Sequence, residues 1–240
     1  MIVNEALLEN AFKFPPRSGF FQSDIAWIDK YYPDWMILRE EQYQYLKRIF
    51  GILAIIISLP LLVLLVLFVM FLLKHEYPNR RIFYKQLRTG KNGKRFWMYK
   101  FQTMVPNADE LKPTLMHLNV LQWPDFKIPD DPRVTKLGKI LRKTSIDEIP
   151  QLWNVLKGDM SLVGPRPTSF SPDTYQKWQL ERLDVLPGMT GLWQITRRGE
   201  SEFVERTLLD INYIQHCCIM LDIEIIFRTF MSIFAGTGIT

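Results

Sequence analysis

IFGILAIIISLPLLVLLVLFVMFLL, Ile49 to Leu73, runs for 25 residues without a charge. As a helix it reaches about 37 Å at ~1.5 Å per residue, beyond the ~30 Å hydrocarbon core of a bilayer. That length marks a membrane segment. A cleaved signal peptide is excluded, because 48 residues precede the run and its apolar core is too long. Its path stays open between spanning and re-entrant. Lys47-Arg48 before it and Lys74, Arg80 and Arg81 after it pull both ends toward the cytoplasm. Pro60 near its middle removes a backbone hydrogen bond, and Ser58 stands close enough to satisfy the freed carbonyl.

Around this segment the 240 residues are 48% hydrophobic and 13% aromatic, enough for one sizeable core and incompatible with global disorder. The net charge of +5 is unevenly placed. Residues 74 to 100 hold nine positive side chains against Glu76 alone, so the remainder of the chain is net acidic. Such a block suits an anionic contact. Beside a membrane segment it reads as a surface for lipid headgroups or a phosphorylated substrate, and nucleic acid is disfavoured. Cys217 and Cys218 are the only cysteines and adjacent, which excludes a disulfide framework or a cysteine zinc cage. His75, His117 and His216 show no ligand spacing.

The basic block contains two β-favouring runs, RIFYKQLR (Arg81 to Arg88) and KRFWMYKF (Lys94 to Phe101), flanking Gly90-Lys91-Asn92-Gly93. Asn-Gly between such runs predicts a hairpin. Trp97, Tyr99 and Phe101 alternate as in a packed strand. Upstream, Phe12, Phe14, Phe20, Phe21, Trp27, Tyr31, Tyr32 and Trp35 suit either the membrane interface or packing against the globular part. A short helix is expected over Ile37 to Phe50. Further helices are expected near Ala108 to Leu118, over Thr135 to Lys143, and from Ser145 through Leu152, Val155 and Leu156 to a stop at Gly158. Met220 to Phe234 is apolar on almost every face and reads as an interfacial helix.

Ser145-Ile-Asp147-Glu148 has the spacing of a capping box, with serine at the N-cap and glutamate three residues on. Arg142 and Lys143 just upstream and Gly164-Pro165-Arg166-Pro167 downstream give the pair another use. Two carboxylates facing cations are a place where a divalent ion and phosphates can meet.

DPRVTKLGKILRKTSIDEIPQLWNVLKGDMSLVGPRP, Asp131 to Pro167, resembles the signature of bacterial sugar transferases, the monotopic polyprenol-phosphate hexose-1-phosphate transferases. The hairpin stretch ending in KFQTM and the later LPGMTGLWQI, LDINYI and MLDIEIIFRTF follow the same motif order, so the resemblance covers about residues 49 to 235. It implies an α+β organisation. A juxtamembrane segment (1–48) precedes a kinked re-entrant membrane helix (49–73) and a small cytosolic catalytic domain (74–240), which carries the hairpin and interfacial amphipathic helices. It also implies an enzyme at the cytoplasmic face of the bacterial inner membrane. The enzyme moves a sugar 1-phosphate from a nucleoside diphosphate sugar, with UDP expected, to polyprenol (undecaprenyl) phosphate, using Mg²⁺, in exopolysaccharide, capsule, O-antigen or glycoconjugate synthesis. Inner-membrane lipids are implied partners, and a homodimer is compatible. By position the nucleophilic aspartate falls on Asp147 and the metal-binding glutamate on Glu148, the two forming the metal site. The first-turn position and the nearby Arg142 are expected to keep Asp147 ionised. Phosphate and nucleotide contacts fall on Arg142, Arg166, Arg198 and Lys100. In the family the membrane helix is re-entrant.

Two departures stand out. Gln102 replaces the basic residue expected in Lys-Phe-Arg-Thr-Met, and Arg197 replaces a glycine before Arg198. Residues 1–48 match no pattern and are too short for the four-helix membrane domain of larger relatives. A non-catalytic, membrane-anchored interaction protein is the alternative. Gln102 speaks for it, and Arg142, Asp147, Glu148 and Arg166 speak against it.

Overall fold

A computed structural model describes residues 25–31, 40–120, 128–196 and 203–234. Helix α1 spans Glu40–Glu76 and includes Pro60. The short helix expected near Ile37–Phe50 is therefore the first part of this long apolar helix. Ser58 corrects a second expectation: its Oγ donates to the carbonyls of Ala54 at 2.7 Å and Ile55 at 3.1 Å. A serine hydroxyl reaches back three or four residues, so it misses the Ile56 carbonyl that Pro60 leaves without a donor.

Along α1 the residues Gly51, Ile55, Val69 and Leu73 are buried, while Ile57, Leu61, Leu64, Phe68 and Phe71 are exposed. Among the described residues this helix alone is long and apolar enough to cross a membrane. An uncovered apolar face of this extent calls for lipid. Yet both ends of α1 dock on the same body. Arg48 donates to the carbonyls of Val155 and Leu156, and Lys47 pairs with Asp222 at 3.1 Å. At the far end Val69 and Leu73 pack with Phe101 and Leu141, and Arg80 donates to the Gln102 and Met104 carbonyls at 2.7 Å each.

Strands β1 (Phe83–Thr89) and β2 (Arg95–Phe101) form the antiparallel hairpin, in register from Phe83↔Phe101 to Thr89↔Arg95. Asn92 (φ 54°) and Gly93 (φ 74°) take the left-handed turn conformation that their side chains tolerate. Phe96 and Met98 are buried on one face and Phe101 on the other, whereas Trp97 is exposed beneath Lys85, 4.8 Å from its ring centre. Both faces of β2 are therefore used: Ile55, Val155 and Met160 cover Phe96 and Met98, while on the Trp97–Tyr99–Phe101 face Phe101 packs with Val69, Leu73 and Leu141 and Trp97 stays exposed.

The expected helix over Ala108–Leu118 is broken: α2 spans only Ala108–Leu111, and Pro113, lacking an N–H, opens a separate 3₁₀ turn, Pro113–Leu118. Helix α3 spans Lys136–Lys143 and α4 spans Gln151–Lys157, the latter closed at Gly158 with φ 87° as the sequence indicates. Strands β3 (Ser161–Val163) and β4 (Gly188–Thr190) pair in parallel. The chain continues through α5 (Leu192–Thr196), α6 (Phe203–His216) and α7 (Ile219–Phe234). The segment Ala26–Tyr31 packs Ile28 against Leu209, Tyr213, Leu221 and Ile225, and Trp27 lies under Arg228. For Trp27 the packing alternative holds. The other N-terminal aromatics except Tyr31 lie outside the described residues.

Candidate active site

Thr135 caps α3, its Oγ1 accepting the Gly138 N–H at 3.0 Å. Gly138 lies against the strand behind it: a Cβ there would stand 2.1 Å from the Thr103 carbonyl oxygen. This close approach brings the end of α3 onto the chain leaving β2, where Arg142 Nε donates to Thr103 Oγ1 at 2.9 Å. Ser145 then takes φ 56°, the left-handed region, and Ile146–Glu148 forms a single 3₁₀ turn. The capping box is thereby overturned. The Ser145 Oγ is buried without a partner, and the Glu148 side chain bonds elsewhere. A serine cap needs an extended backbone, and the left-handed turn withholds it.

The reversal places Asp147 and Glu148 inside, each 7% exposed. Glu148 is clamped: its Oε1 accepts from Lys100 Nζ at 2.7 Å and Arg166 Nη2 at 2.5 Å. Burial alone would raise its carboxyl, but the charges of Arg166 and Lys100 outweigh that and hold it well below the usual carboxylate range. Asp147 differs. Among the described residues its carboxylate makes no hydrogen bond or ion pair, though Lys100, Arg142 and Arg166 all act on it through space. Burial dominates there, and together with the neighbouring Glu148 charge it raises the Asp147 carboxyl. Arg142 lowers the Asp147 carboxyl as expected, but burial and the Glu148 charge outweigh it, and a three-residue turn offers little dipole.

Lys100, Arg142, Asp147, Glu148 and Arg166 thus converge from β2, α3, the 3₁₀ turn and the loop after β3. Arg197 and Arg198 lie outside the described residues. Two carboxylates and, among the described residues, no third acidic, histidine or cysteine ligand fit a hard cation that draws most of its oxygens from water and phosphate, as Mg²⁺ does. Asp147 and Glu148 are the residues that would hold it.

The family model for bacterial sugar transferases matches residues 42–236. The chain belongs to that family. Among the curated bacterial sugar transferases, the galactosyl transferase CpsE of Streptococcus agalactiae serotype III is 48% identical over 65% of this chain and 35% of its own length. The undecaprenyl-phosphate galactose phosphotransferase of Salmonella typhimurium is 38% identical over 80% of this chain and 41% of its own. The chain therefore spans less than half the length of these two. The exopolysaccharide production protein ExoY of Sinorhizobium fredii is 38% identical over 80% of this chain and 87% of its own.

Sequence reasoning missed two supports of this candidate site. Thr103, in the KFQTM stretch, orients Arg142. Arg182 donates to the Arg166 carbonyl at 2.9 Å and is itself held by Asp210. Asp210 lies in LDINYI, a motif that was visible without a partner to explain it.

Proposed function

We propose that this chain transfers a sugar 1-phosphate from a UDP-sugar to undecaprenyl phosphate at the cytoplasmic face of the inner membrane, through an aspartyl-phosphosugar intermediate. The observation that carries the reading is the contrast between the two carboxylates. Glu148 is fixed by two cations, while Asp147, buried among the same cations, keeps its oxygens uncommitted. An uncommitted buried carboxylate is the one able to attack.

In the first step an Asp147 oxygen bonds to the sugar-bearing phosphorus. The bond from that phosphorus to the bridging oxygen breaks, and its electron pair leaves with the nucleoside monophosphate. In the second step a phosphate oxygen of the acceptor attacks the same phosphorus, releasing the Asp147 carboxylate and forming the lipid diphosphate sugar. Lys100, Arg142 and Arg166 draw the donor's phosphates against an anionic nucleophile. Held by Asp147 and Glu148, Mg²⁺ would supply further charge neutralisation.

The acceptor side finds support in a wholly apolar groove of about 400 Å³ beside Ile149 and Pro150, directly after Glu148. Its other wall is α1, through Leu59, Val63 and Leu67. The joint docking of both α1 ends on one domain supports a re-entrant path, and the exposed Met220, Ile223, Phe227 and Phe230 of α7 support an interfacial role.

The test is incubation of the purified chain with Mg²⁺ and donor alone. Wild type is expected to release UMP in a burst and to gain the phosphosugar mass on the peptide holding Asp147. A strictly sequential rate law with no labelled peptide sinks the covalent route.

A further inference from the structure

No role has yet fallen to Arg88 or Arg206, nor to the remaining donors of Arg182. With Arg166, these three line one cavity of about 110 Å³, and no aspartate or glutamate is among its described lining residues. Arg88 donates Nη1 to the Pro167 carbonyl at 3.2 Å and Nη2 to Gln86 Oε1 at 2.6 Å. Its buried Nε–H has no acceptor, and among the described residues it has no carboxylate partner. Arg182 spends Nη2 on Asp210 and the Arg166 carbonyl, leaving a buried Nη1 without an acceptor. Two residues of one cavity thus each hold an orphaned guanidinium donor. A guanidinium does not shed its proton to escape that cost. Burial, with repulsion from Arg166, pushes Arg88 down to about 10. Arg166 joins this cavity to the carboxylates, because its guanidinium also holds Glu148. Phe203 and Trp193 form part of the wall, with Arg206 lying 5.9 and 5.6 Å from their ring centres.

We propose that this cavity binds the phosphate of the nucleoside monophosphate that leaves the donor. The identity of the nucleotide rests on the proposed function. A phosphate supplies three acceptor oxygens and the negative charge that forked donors match. A cavity of this size admits a phosphate group, and the nucleoside extends from its mouth. When the bond between the two donor phosphates breaks, the electron pair stays on the departing phosphate, and surrounding guanidinium groups favour that departure.

Calorimetry on the full chain in lipid nanodiscs tests the assignment, with UMP as probe, inorganic phosphate as competitor and uridine as the phosphate-free control. UMP is expected to bind, with phosphate displacing it and uridine binding about tenfold or more weakly. Arg88→Gln is expected to weaken UMP about tenfold or more without changing uridine, and Arg88→Lys to recover part of the loss. Should Arg88→Gln fail to fold, Arg182→Lys carries the same comparison. An unchanged UMP affinity in a folded variant overturns the assignment, as does phosphate that binds without displacing UMP. Turnover of a UDP-sugar with UMP binding indifferent to Arg88 is a failure of the cavity alone. Arg88-dependent UMP binding without turnover of any UDP-sugar is a failure of the transferase reading alone.

Discussion

Asp147 and Glu148 are neighbours in sequence and opposites in environment, and their variants separate accordingly. Asp147→Asn is expected to abolish turnover while the protein remains folded. Its stability has a sign. A carboxyl whose folded pKa is raised binds its proton more tightly in the folded state, so the native state loses stability as pH rises through that value. An uncharged asparagine side chain escapes this loss, so at neutral pH the inactive variant is expected to melt at or above wild type, with the gap closing in acid. Thermal melts at both pH values check this, and a variant less stable only at neutral pH contradicts it. Glu148→Gln runs the other way. Its folded carboxyl is held low by Arg166 and Lys100, so ionisation stabilises the fold above the ordinary carboxylate range and that stability is lost on acidification. Removing the charge leaves two part-buried cations without their partner, and both activity and melting temperature are expected to fall.

Gln102 sits two residues after Lys100 and extends the hairpin ladder through its N–H to the Ile82 carbonyl at 2.8 Å. Strand alternation therefore puts positions 100 and 102 on one side. Gln102→Arg is expected to lower the Michaelis constant for the nucleotide sugar, since charge-assisted hydrogen bonds contribute on the order of 1.5–3 kcal/mol. An unchanged or raised value means the glutamine is adapted to its place.

At the scale of elements, the site depends on how tightly α3 lies on the chain after β2. Gly138→Ala sets a methyl 2.1 Å from the Thr103 carbonyl oxygen, where backbone and not a flexible side chain must yield. A loss of about 2 kcal/mol or more is expected in denaturant titration, with turnover falling because Thr103 no longer orients Arg142. The hairpin and the stop at Gly158 were legible because Asn92, Gly93 and Gly158 carry their backbone preferences locally. The Ser145 turn was not. Serine has no intrinsic pull toward positive φ, and tertiary contacts hold it there, among them Glu148 with Lys100 and Arg166 and Ile146 against Phe101 and Leu141.

At the scale of the whole molecule both ends of α1 dock on one body. Single cysteines at Glu41 and Arg81, both exposed, in a background lacking Cys217 and Cys218, are expected to react only from the cytoplasmic side of spheroplasts. Arg81 serves better than its neighbour, because Arg80 is buried in bonds to Gln102 and Met104. Periplasmic labelling at either site contradicts the re-entrant path.

The sequence by itself determined the long apolar segment, the hairpin, the family and the set of charged residues. Each is written in contiguous composition or local backbone preference, which a chain carries before it folds. Tertiary structure alone decided which carboxylate is clamped and which is left uncommitted, because that depends on Lys100 and Arg166 arriving from 48 and 18 residues away. It also decided that Arg88, one of nine cations in a basic stretch, leaves the solvated surface for a cavity shared with Arg166 and Arg182. A charge reads the same in any sequence, and only the surrounding packing sets whether water or a ligand must neutralise it.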